Sequence, residues 1–310
     1  MPIYSALTDL IGRTPLVELS RYSAQVGIKA RILGKLELFN PTGSVKDRVA
    51  KSIIMDAECR GLLKEGSVII EATSGNTGIG LASIAASRGY KVILTMPDTM
   101  SEERRKLLQA YGAQLVLTEG SKGMQGAIDK ALLLAESMEN SFIPDQFVNP
   151  ANAMAHFETT GPEIWQDTQG EIDAFIAGVG TGGTLTGTAQ YLRSCKPDIH
   201  IVAVEPTDSP VLSGGKASAH DIQGIGAGFI PKVLDTKIYD EVICVPSDVA
   251  VAICRLLVEK EGILAGISSG AAVAAACRLA SRKEFSGATL VVLLPDTGER
   301  YLSTALFEDM

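Results

Sequence analysis

Short runs of apolar residues alternate with segments of helical periodicity along most of the chain. Apolar runs of strand length occupy residues 68–71, 92–94, 115–117, 174–177, 201–204 and 290–294. Helical patterns follow at about residues 76–88 and 102–111, after residue 182, at about 248–261 and after residue 269. Strands that alternate with helices in this way are typical of mainly parallel sheets with helices on both faces. The pattern predicts an α/β fold, whose ligands bind at the loops after the carboxyl ends of strands.

The length of the chain allows two α/β domains or one large domain, and a candidate boundary favours two. The chain has 310 residues, and single cores rarely grow beyond about 250–300 residues. Residues 144–152 follow one series of strands and helices and precede the next, so we place the domain boundary there. Because no spacer rich in proline or serine marks this boundary, we expect packed domains that face a cleft.

Composition and charge exclude several classes of partner. The net charge is −8 without any basic stripe, which disfavours binding to nucleic acid or to an anionic membrane. No stretch approaches the roughly 20 apolar residues of a membrane span, and the N-terminus has no signal-peptide pattern. The 5 cysteines never occur as Cys-x-x-Cys, and the 3 histidines share no metal-ligand spacing. We therefore expect a cytoplasmic protein without a metal site.

The first segment with candidate chemistry is residues 40–48, NPTGSVKDR. Proline and glycine indicate a turn there, and Ser44 with Asp47 predicts a capping box that opens a helix. Lys46 then lies in the first helical turn, where the positive end of the helix dipole disfavours a further charge and favours a neutral, nucleophilic amine. Such an amine can form an imine with an aldehyde. The alternative is a solvated lysine in a run of charged residues.

The second segment, residues 73–78 (TSGNTG), follows an apolar strand and opens a helix. Glycine lets the backbone approach a ligand, and the hydroxyls, the amide and the main-chain N–H groups favour an anion such as a carboxylate. The alternative is an ordinary polar turn with a serine or threonine cap.

The third segment, residues 178–184 (GVGTGGT), also lies between a strand and a helix and predicts a phosphate cradle. Gly178, Gly180 and Gly183 also satisfy the dinucleotide fingerprint, and Glu205 follows where a ribose-binding acid is expected, so an NAD-dependent oxidoreductase is an alternative. That interpretation gives the first two segments no role. A cofactor with one phosphate and one aldehyde, together with a carboxylate-bearing substrate, uses all three segments, which favours pyridoxal phosphate with an amino acid.

With these motifs the chain resembles the cysteine synthase family, the O-acetylserine sulfhydrylases among the tryptophan-synthase-like pyridoxal-phosphate enzymes. The resemblance spans nearly the whole chain. Besides the three segments above, it is carried by residues 11–16 (IGRTPL), 146–150 (QFVNP), 223–229 (QGIGAGF), 266–271 (GISSGA) and 298–304 (GERYLST). Several long motifs in a fixed order are far more specific than any one of them.

The resemblance implies the type II fold of pyridoxal-phosphate enzymes, like that of the tryptophan synthase β chain. This fold has two α/β domains with mainly parallel twisted sheets and the cofactor in the cleft between them. The smaller domain would comprise residues 45–150, and the larger domain would comprise residues 1–44 and 151–310.

The resemblance also implies a role for each matched residue. Lys46 would be the catalytic residue and would bind the cofactor aldehyde covalently, Asn76 would hydrogen-bond the ring hydroxyl, and Ser268 would meet the pyridine nitrogen. The phosphate would be held by Gly180, Thr181, Gly182, Gly183 and Thr184. The amino-acid substrate would be bound by Thr73, Ser74, Gly75, Thr77, Gln146 and Gly224.

The implied activity is that of a cysteine synthase, which replaces the acetate of O-acetylserine with sulfide. Two alternatives within the class are cystathionine β-synthase, which uses homocysteine as the nucleophile, and O-phosphoserine sulfhydrylase. They stay open because the motifs indicate the cofactor and the substrate carboxylate more than the leaving group. The resemblance further implies a homodimer and a partner, serine acetyltransferase, whose C-terminal tail could occupy the carboxylate site.

Overall fold

The computed structural model describes residues 3–304 and 306–307. The chain forms two compact units. Unit 1 comprises the described residues up to Ile11 together with Asn40–Asn152, and unit 2 comprises Gly12–Phe39 together with the described residues from Ala153 onward. No helix of the described residues is long and apolar enough to cross a membrane.

The elements, taken in chain order, are ten strands and ten α-helices of the described residues. The strands are β1 Leu16–Glu18, β2 Arg31–Leu36, β3 Val68–Ala72, β4 Lys91–Pro97, β5 Gln114–Thr118, β6 Ser141–Phe142, β7 Ala174–Gly178, β8 His200–Pro206, β9 Glu241–Val245 and β10 Thr289–Leu294. The helices are α1 Ser20–Val26, α2 Lys46–Cys59, α3 Asn76–Arg88, α4 Glu102–Ala110, α5 Gly123–Glu136, α6 Ala151–Ala155, α7 Gly161–Asp167, α8 Gly183–Cys195, α9 Ser247–Glu261 and α10 Ile267–Ala280. A π-helix, His156–Thr160, lies between α6 and α7.

Unit 1 is built on a parallel sheet of four strands in the order β5-β4-β3-β6. The apolar residues of α3 pack with those of β3 and β4 in one buried cluster. The segments before residue 12 and at 40–44, which the sequence analysis places in the larger domain, group with this unit. Two hydrogen bonds join these segments to α2: Lys51 Nζ donates to the carbonyl of Thr8 at 2.9 Å, and the N–H of Thr42 donates to Asp47 at 2.7 Å.

Unit 2 is built on a sheet of six strands in the order β1-β2-β10-β7-β8-β9, parallel except for β1. The run Thr289–Leu294 is buried along almost its whole length, as expected for a central parallel strand covered on both faces. The helix α10 is rich in alanine and buried nearly all round. A Cβ on Gly270 would lie 2.0 Å from the carbonyl oxygen of Ala250 in α9, so only glycine allows these two helices to approach so closely. The predicted α/β class with mainly parallel sheets is confirmed.

The strand β2 was missed by the sequence pattern although it lies inside the six-stranded sheet. It contains Lys35, whose side chain is completely buried. Lys35 Nζ lies 2.9 Å from a carboxylate oxygen of Glu163 and donates to the carbonyl of Thr14 at 2.6 Å. A lysine with these partners can be buried in a strand, but it interrupts the apolar run that identifies such a strand in the sequence.

Candidate functional site

In unit 1, Lys46 is the first residue of α2, as predicted, and is half-buried. The predicted capping box is wrong. Ser44 Oγ accepts a hydrogen bond from the N–H of Lys46 at 3.3 Å, while the carboxylate of Asp47 turns back to accept from the N–H of Thr42 at 2.7 Å and from the hydroxyl of the same threonine. These bonds fix the turn before α2 and therefore the point at which Lys46 leaves the backbone.

The start of α3 lies close to Lys46. A Cβ on Gly80 of α3 would lie 3.1 Å from the carbonyl oxygen of Lys46 and 3.3 Å from Cβ of Ala50. A glycine at this position lets the two helices approach closely near their N-termini. Asn76 begins α3, so the lysine segment and the segment 73–78 come together in the same unit.

All the residues predicted to bind the substrate except Gly224, which belongs to unit 2, lie in unit 1 at or near the start of α3. Thr77 Oγ1 donates a hydrogen bond of 2.6 Å to Oε1 of Gln146, and both side chains are buried. The N–H of Gly75 donates to Thr73 Oγ1 at 3.3 Å, and Ser74 is half-buried beside them. The N–H groups of a first helical turn attract an anion, so this cluster can bind a carboxylate.

Glu71 of β3 is a buried residue of this region that the sequence analysis missed. Its carboxylate accepts hydrogen bonds from the N–H of Asp145, at 3.1 Å, and from that of Gln146. Burial raises the pKa of Glu71 to about 7, the two hydrogen bonds oppose this rise, and the neighbouring carboxylate of Asp145 adds to it. The signal available in the sequence is a glutamate within the apolar strand Val68–Ala72.

In unit 2, the loop before α8 has the close backbone contacts that its glycines suggest. A Cβ on Gly180 would lie 2.3 Å from the carbonyl oxygen of Gly224. Gly182 has φ 83°, and a Cβ there would lie 2.6 Å from that of Leu234. The helix α8 begins at Gly183, so the N–H groups of the loop and of the first helical turn can bind an anion such as a phosphate.

Two threonines of this loop, Thr181 and Thr184, are buried. The hydroxyl of Thr184 lies 3.1 Å from Nε2 of His156, whose Nδ1 lies 2.9 Å from the hydroxyl of Thr160. His156 is completely buried in the π-helix His156–Thr160, a kind of element that is frequent at functional sites. The sequence analysis gives this histidine no role at the site, because its contact with Thr184 depends on the tertiary fold.

Ser268 and Gly224 meet next to this loop. Ser268 is the second residue of α10 and is 3% exposed, and a Cβ on Gly224 would lie 3.8 Å from Ser268 Oγ. Because Gly224 also touches Gly180, three separate sequence motifs come together within unit 2. The neighbouring Ser269 Oγ is buried without a hydrogen-bond partner among the described residues.

The dinucleotide interpretation fails at Glu205. Its carboxylate accepts hydrogen bonds from the N–H of Leu212 at 2.7 Å, from the N–H of Ser213 at 3.0 Å and from the Ser213 hydroxyl at 2.6 Å. The residue is 2% exposed. A carboxylate that is buried and used in this way is not available to bind a ribose. Among the described residues there is also no group of three histidine, cysteine, aspartate or glutamate side chains that could hold a metal.

The chain is similar to known proteins over nearly its whole length. Residues 7–296 match the family described as pyridoxal-phosphate dependent enzyme. Cysteine synthase A of Escherichia coli (strain K12) is 57% identical over 309 residues, which cover 97% of this chain and 94% of that protein. The crystal structure of cysteine synthase from Entamoeba histolytica has a TM-score of 0.97 at 46% identity and covers 100% of this chain and 92% of that one. The crystal structure of an O-ureido-L-serine synthase has a TM-score of 0.95 at 47% identity, over 100% of this chain and 96% of that one.

The residues of both units fit pyridoxal phosphate. Unit 1 presents a lysine at a helix start beside a cluster that can bind an anion. Unit 2 presents a backbone loop that requires glycine at position 180, because a Cβ there would lie 2.3 Å from the Gly224 carbonyl oxygen. The buried hydroxyl of Ser268 lies beside Gly224. The dinucleotide alternative is excluded by the family match as well as by Glu205. The chain therefore belongs to the cysteine synthase family of the pyridoxal-phosphate dependent enzymes, and pyridoxal phosphate is its cofactor.

Proposed function

We propose that this protein makes cysteine and acetate from O-acetylserine and sulfide by β-replacement. The observation that carries the proposal is the placement of Lys46 at the start of α2, beside the start of α3, where Thr77 meets Gln146. This arrangement supplies an amine and an anion site in one unit, as a reaction on an amino acid requires. The similarity to cysteine synthase A supports this activity for the chain as a whole.

Each predicted residue has a part in this proposal. Lys46 binds the cofactor covalently, Asn76 hydrogen-bonds its ring hydroxyl, and Ser268 meets its ring nitrogen. The loop Gly180–Thr184 holds the phosphate through its N–H groups and threonine hydroxyls. The substrate is bound by Thr73, Ser74, Gly75, Thr77, Gln146 and Gly224.

Pyridoxal phosphate, when bound, supplies an electron sink for the charge that develops at the substrate α-carbon. Lys46 Nζ takes the α-proton and later returns it, since the same amine that anchors the cofactor is released beside the α-carbon when substrate binds. The bond from the β-carbon to the acetate oxygen breaks, acetate leaves, and hydrosulfide forms the new bond at the β-carbon. The order of these steps predicts ping-pong kinetics.

Ser268 directs this chemistry towards replacement. A hydroxyl at the ring nitrogen stabilises a protonated ring less than a carboxylate would, so the electron sink is weaker. A weaker sink favours prompt loss of the β-substituent over a long-lived charge at the α-carbon, which transamination requires.

The nucleophile distinguishes the proposed reaction from its nearest alternatives. Homocysteine carries its own carboxylate and amine, and burying such charges without partners costs several kcal/mol. The matched motifs contain no second set of arginine or hydroxyl residues for them, so we propose sulfide. The test adds sulfide and homocysteine, separately and at equal concentration, to enzyme preloaded with O-acetylserine. Faster turnover with homocysteine would make this protein a cystathionine-forming enzyme.

The visible absorbance of the purified protein tests the cofactor and the donor together. We expect a yellow preparation whose band shifts when O-acetylserine is added and returns when sulfide follows. Ser74→Ala should weaken binding of the amino acid more than it affects cofactor retention, because the contacts to the cofactor remain. Loss of bound cofactor as the main effect would contradict the assignment of Ser74 to the substrate.

We further propose a cytoplasmic homodimer that binds serine acetyltransferase through the C-terminal tail of that enzyme. A terminal carboxylate presents to Thr73, Thr77 and Gln146 the same anion as the amino-acid substrate. A peptide with a free C-terminus should therefore compete with O-acetylserine. Equal inhibition by its amidated form would refute this mode of binding, and sedimentation of the purified protein measures the oligomeric state.

A further inference from the structure

A buried carboxylate lies in the strand that leads to the substrate loop. Glu71 occupies β3 between apolar neighbours and is 5% exposed. An isolated carboxylate in such a place is costly, and the N–H groups of Asp145 and Gln146 offset part of this cost. No step of the proposed reaction uses Glu71, so its burial calls for another explanation.

The two N–H donors belong to a tight turn. Asp145 has φ 46°, a left-handed conformation that residues other than glycine rarely adopt. Its carbonyl oxygen accepts from the N–H of Val148 at 3.0 Å and from that of Asn149 at 2.9 Å. The turn therefore directs two successive N–H groups towards Glu71, and it persists because the surrounding contacts hold it.

The turn carries Gln146, and the main chain of this residue is held at both ends. Its N–H donates to Glu71, and its carbonyl oxygen accepts from Asn152 Nδ2 at 2.7 Å. With the backbone fixed in this way, the side-chain amide of Gln146 reaches Thr77, 69 positions away in sequence, at 2.6 Å.

We propose that Glu71 is a positioning residue for the substrate carboxylate, because through the main chain of Asp145 and Gln146 it fixes the Gln146 amide against Thr77. This inference rests on the proposed function, which assigns Thr77 and Gln146 to the substrate. Glu71 itself touches no reacting atom.

The test is a double-mutant cycle between Glu71→Gln and Gln146→Ala, assayed at pH 8 with O-acetylserine and sulfide. The loss of one good hydrogen bond corresponds to about tenfold in binding, so Glu71→Gln should raise KM for O-acetylserine about tenfold and change kcat less than about twofold. In the Gln146→Ala background it should raise KM no further, because the group that it positions has been removed. Glu139→Gln is the matched control, since Glu139 is an exposed glutamate of the same unit, and it should leave KM unchanged.

Visible titration with O-acetylserine gives a second measurement of the same effect, since it reports binding without turnover. Half-saturation should rise in parallel with KM in Glu71→Gln, and the amount of cofactor bound should remain that of the wild type. Glu71→Asp replaces Glu71→Gln if the latter does not fold, because it keeps the charge but withdraws it from the two N–H groups. Glu71→Asp should then raise KM for O-acetylserine in the wild-type background and leave it unchanged in the Gln146→Ala background.

Several results would overturn the proposal. KM could be unchanged or lower in Glu71→Gln, as expected if the dominant effect of Glu71 were to repel the substrate carboxylate. KM could also rise equally with and without the Gln146 side chain, which would indicate a general structural role. A wild-type protein that forms no cysteine would instead refute the proposed function, so the two failures are distinguishable.

Discussion

Glu71 gives the stability of unit 1 a measurable dependence on pH. Burial raises the pKa of its carboxyl group from an ordinary value of 4.5 to about 7. The folded protein therefore binds this proton more tightly than the unfolded chain does, so the stability contributed by the group is complete below pH 4.5 and is lost as the pH rises through 7. Each pKa unit of difference between the folded and the unfolded chain corresponds to about 1.4 kcal/mol. The rise from 4.5 to about 7 therefore corresponds to a loss of about 3 kcal/mol in the free energy of unfolding.

The assay is urea unfolding of the wild type and Glu71→Gln between pH 4.5 and pH 8. Subtracting the free energy of unfolding of the wild type from that of Glu71→Gln removes the contribution of the other titrating groups, which both proteins share. As the pH rises, this difference should shift by about 3 kcal/mol in favour of the variant. The sequence contains a single tryptophan, Trp165, which belongs to unit 2. Its fluorescence, compared with circular dichroism, therefore separates the unfolding of unit 1 from that of unit 2. Glu139→Gln should show a difference that is constant with pH. A constant difference for Glu71→Gln as well would refute the reasoning.

Three further predictions concern the lysine, the phosphate loop and the buried ion pair. Lys46→Ala should abolish cysteine formation while the circular dichroism stays that of the wild type, since a half-buried residue at a helix start contributes little stability. Borohydride reduction and peptide mapping should place the cofactor on Lys46, and a label elsewhere would contradict this assignment. Gly180→Ala should lower cofactor retention on gel filtration at least about tenfold, because its Cβ would lie 2.3 Å from the Gly224 carbonyl oxygen. Retention equal to that of the wild type would show that the loop does not hold the phosphate. Lys35→Met should lower the free energy of unfolding by about 3 kcal/mol, since it removes a buried ammonium group that lies 2.9 Å from the Glu163 carboxylate and donates to the Thr14 carbonyl. A loss below about 1 kcal/mol in urea unfolding would contradict this estimate.

The sequence pattern predicts those elements whose residues are uniformly apolar or strongly periodic. The predicted helix at 76–88 matches α3 at both ends, and the run 290–294 lies within β10. The strands β2 and β9 and the helix α5 were missed. Lys35 interrupts the apolar run of β2. The edge strand β9, in contrast, contains a continuous apolar run at residues 242–245, so its sequence carried a signal that was overlooked.

Sequence motifs identify those parts of the candidate site that lie in a loop between a strand and a helix. They do not identify residues that contact the site from distant positions in the sequence. The segments at 73–78 and 178–184 are each local, and both were predicted. The contacts of Glu71 with the turn at Asp145, and of His156 with Thr184, join residues far apart in sequence, and no local pattern reports such pairs. The capping box was wrong because α2 begins one residue later than the box requires, with Val45 as its N-cap, and the Asp47 carboxylate accepts from Thr42 in the turn before the helix.

The position of β2 in the six-stranded sheet has a consequence for how the chain folds during synthesis. This strand is made before most of unit 1, yet it pairs in parallel with β10, which follows it by about 250 residues. Unit 1 has all of its residues by Asn152 and can fold while the rest is still being made. The first segment of unit 2 must keep an unpaired strand edge until β10 has been synthesised. A release of the nascent chain before β10 should therefore leave a folded unit 1 attached to an aggregation-prone remainder.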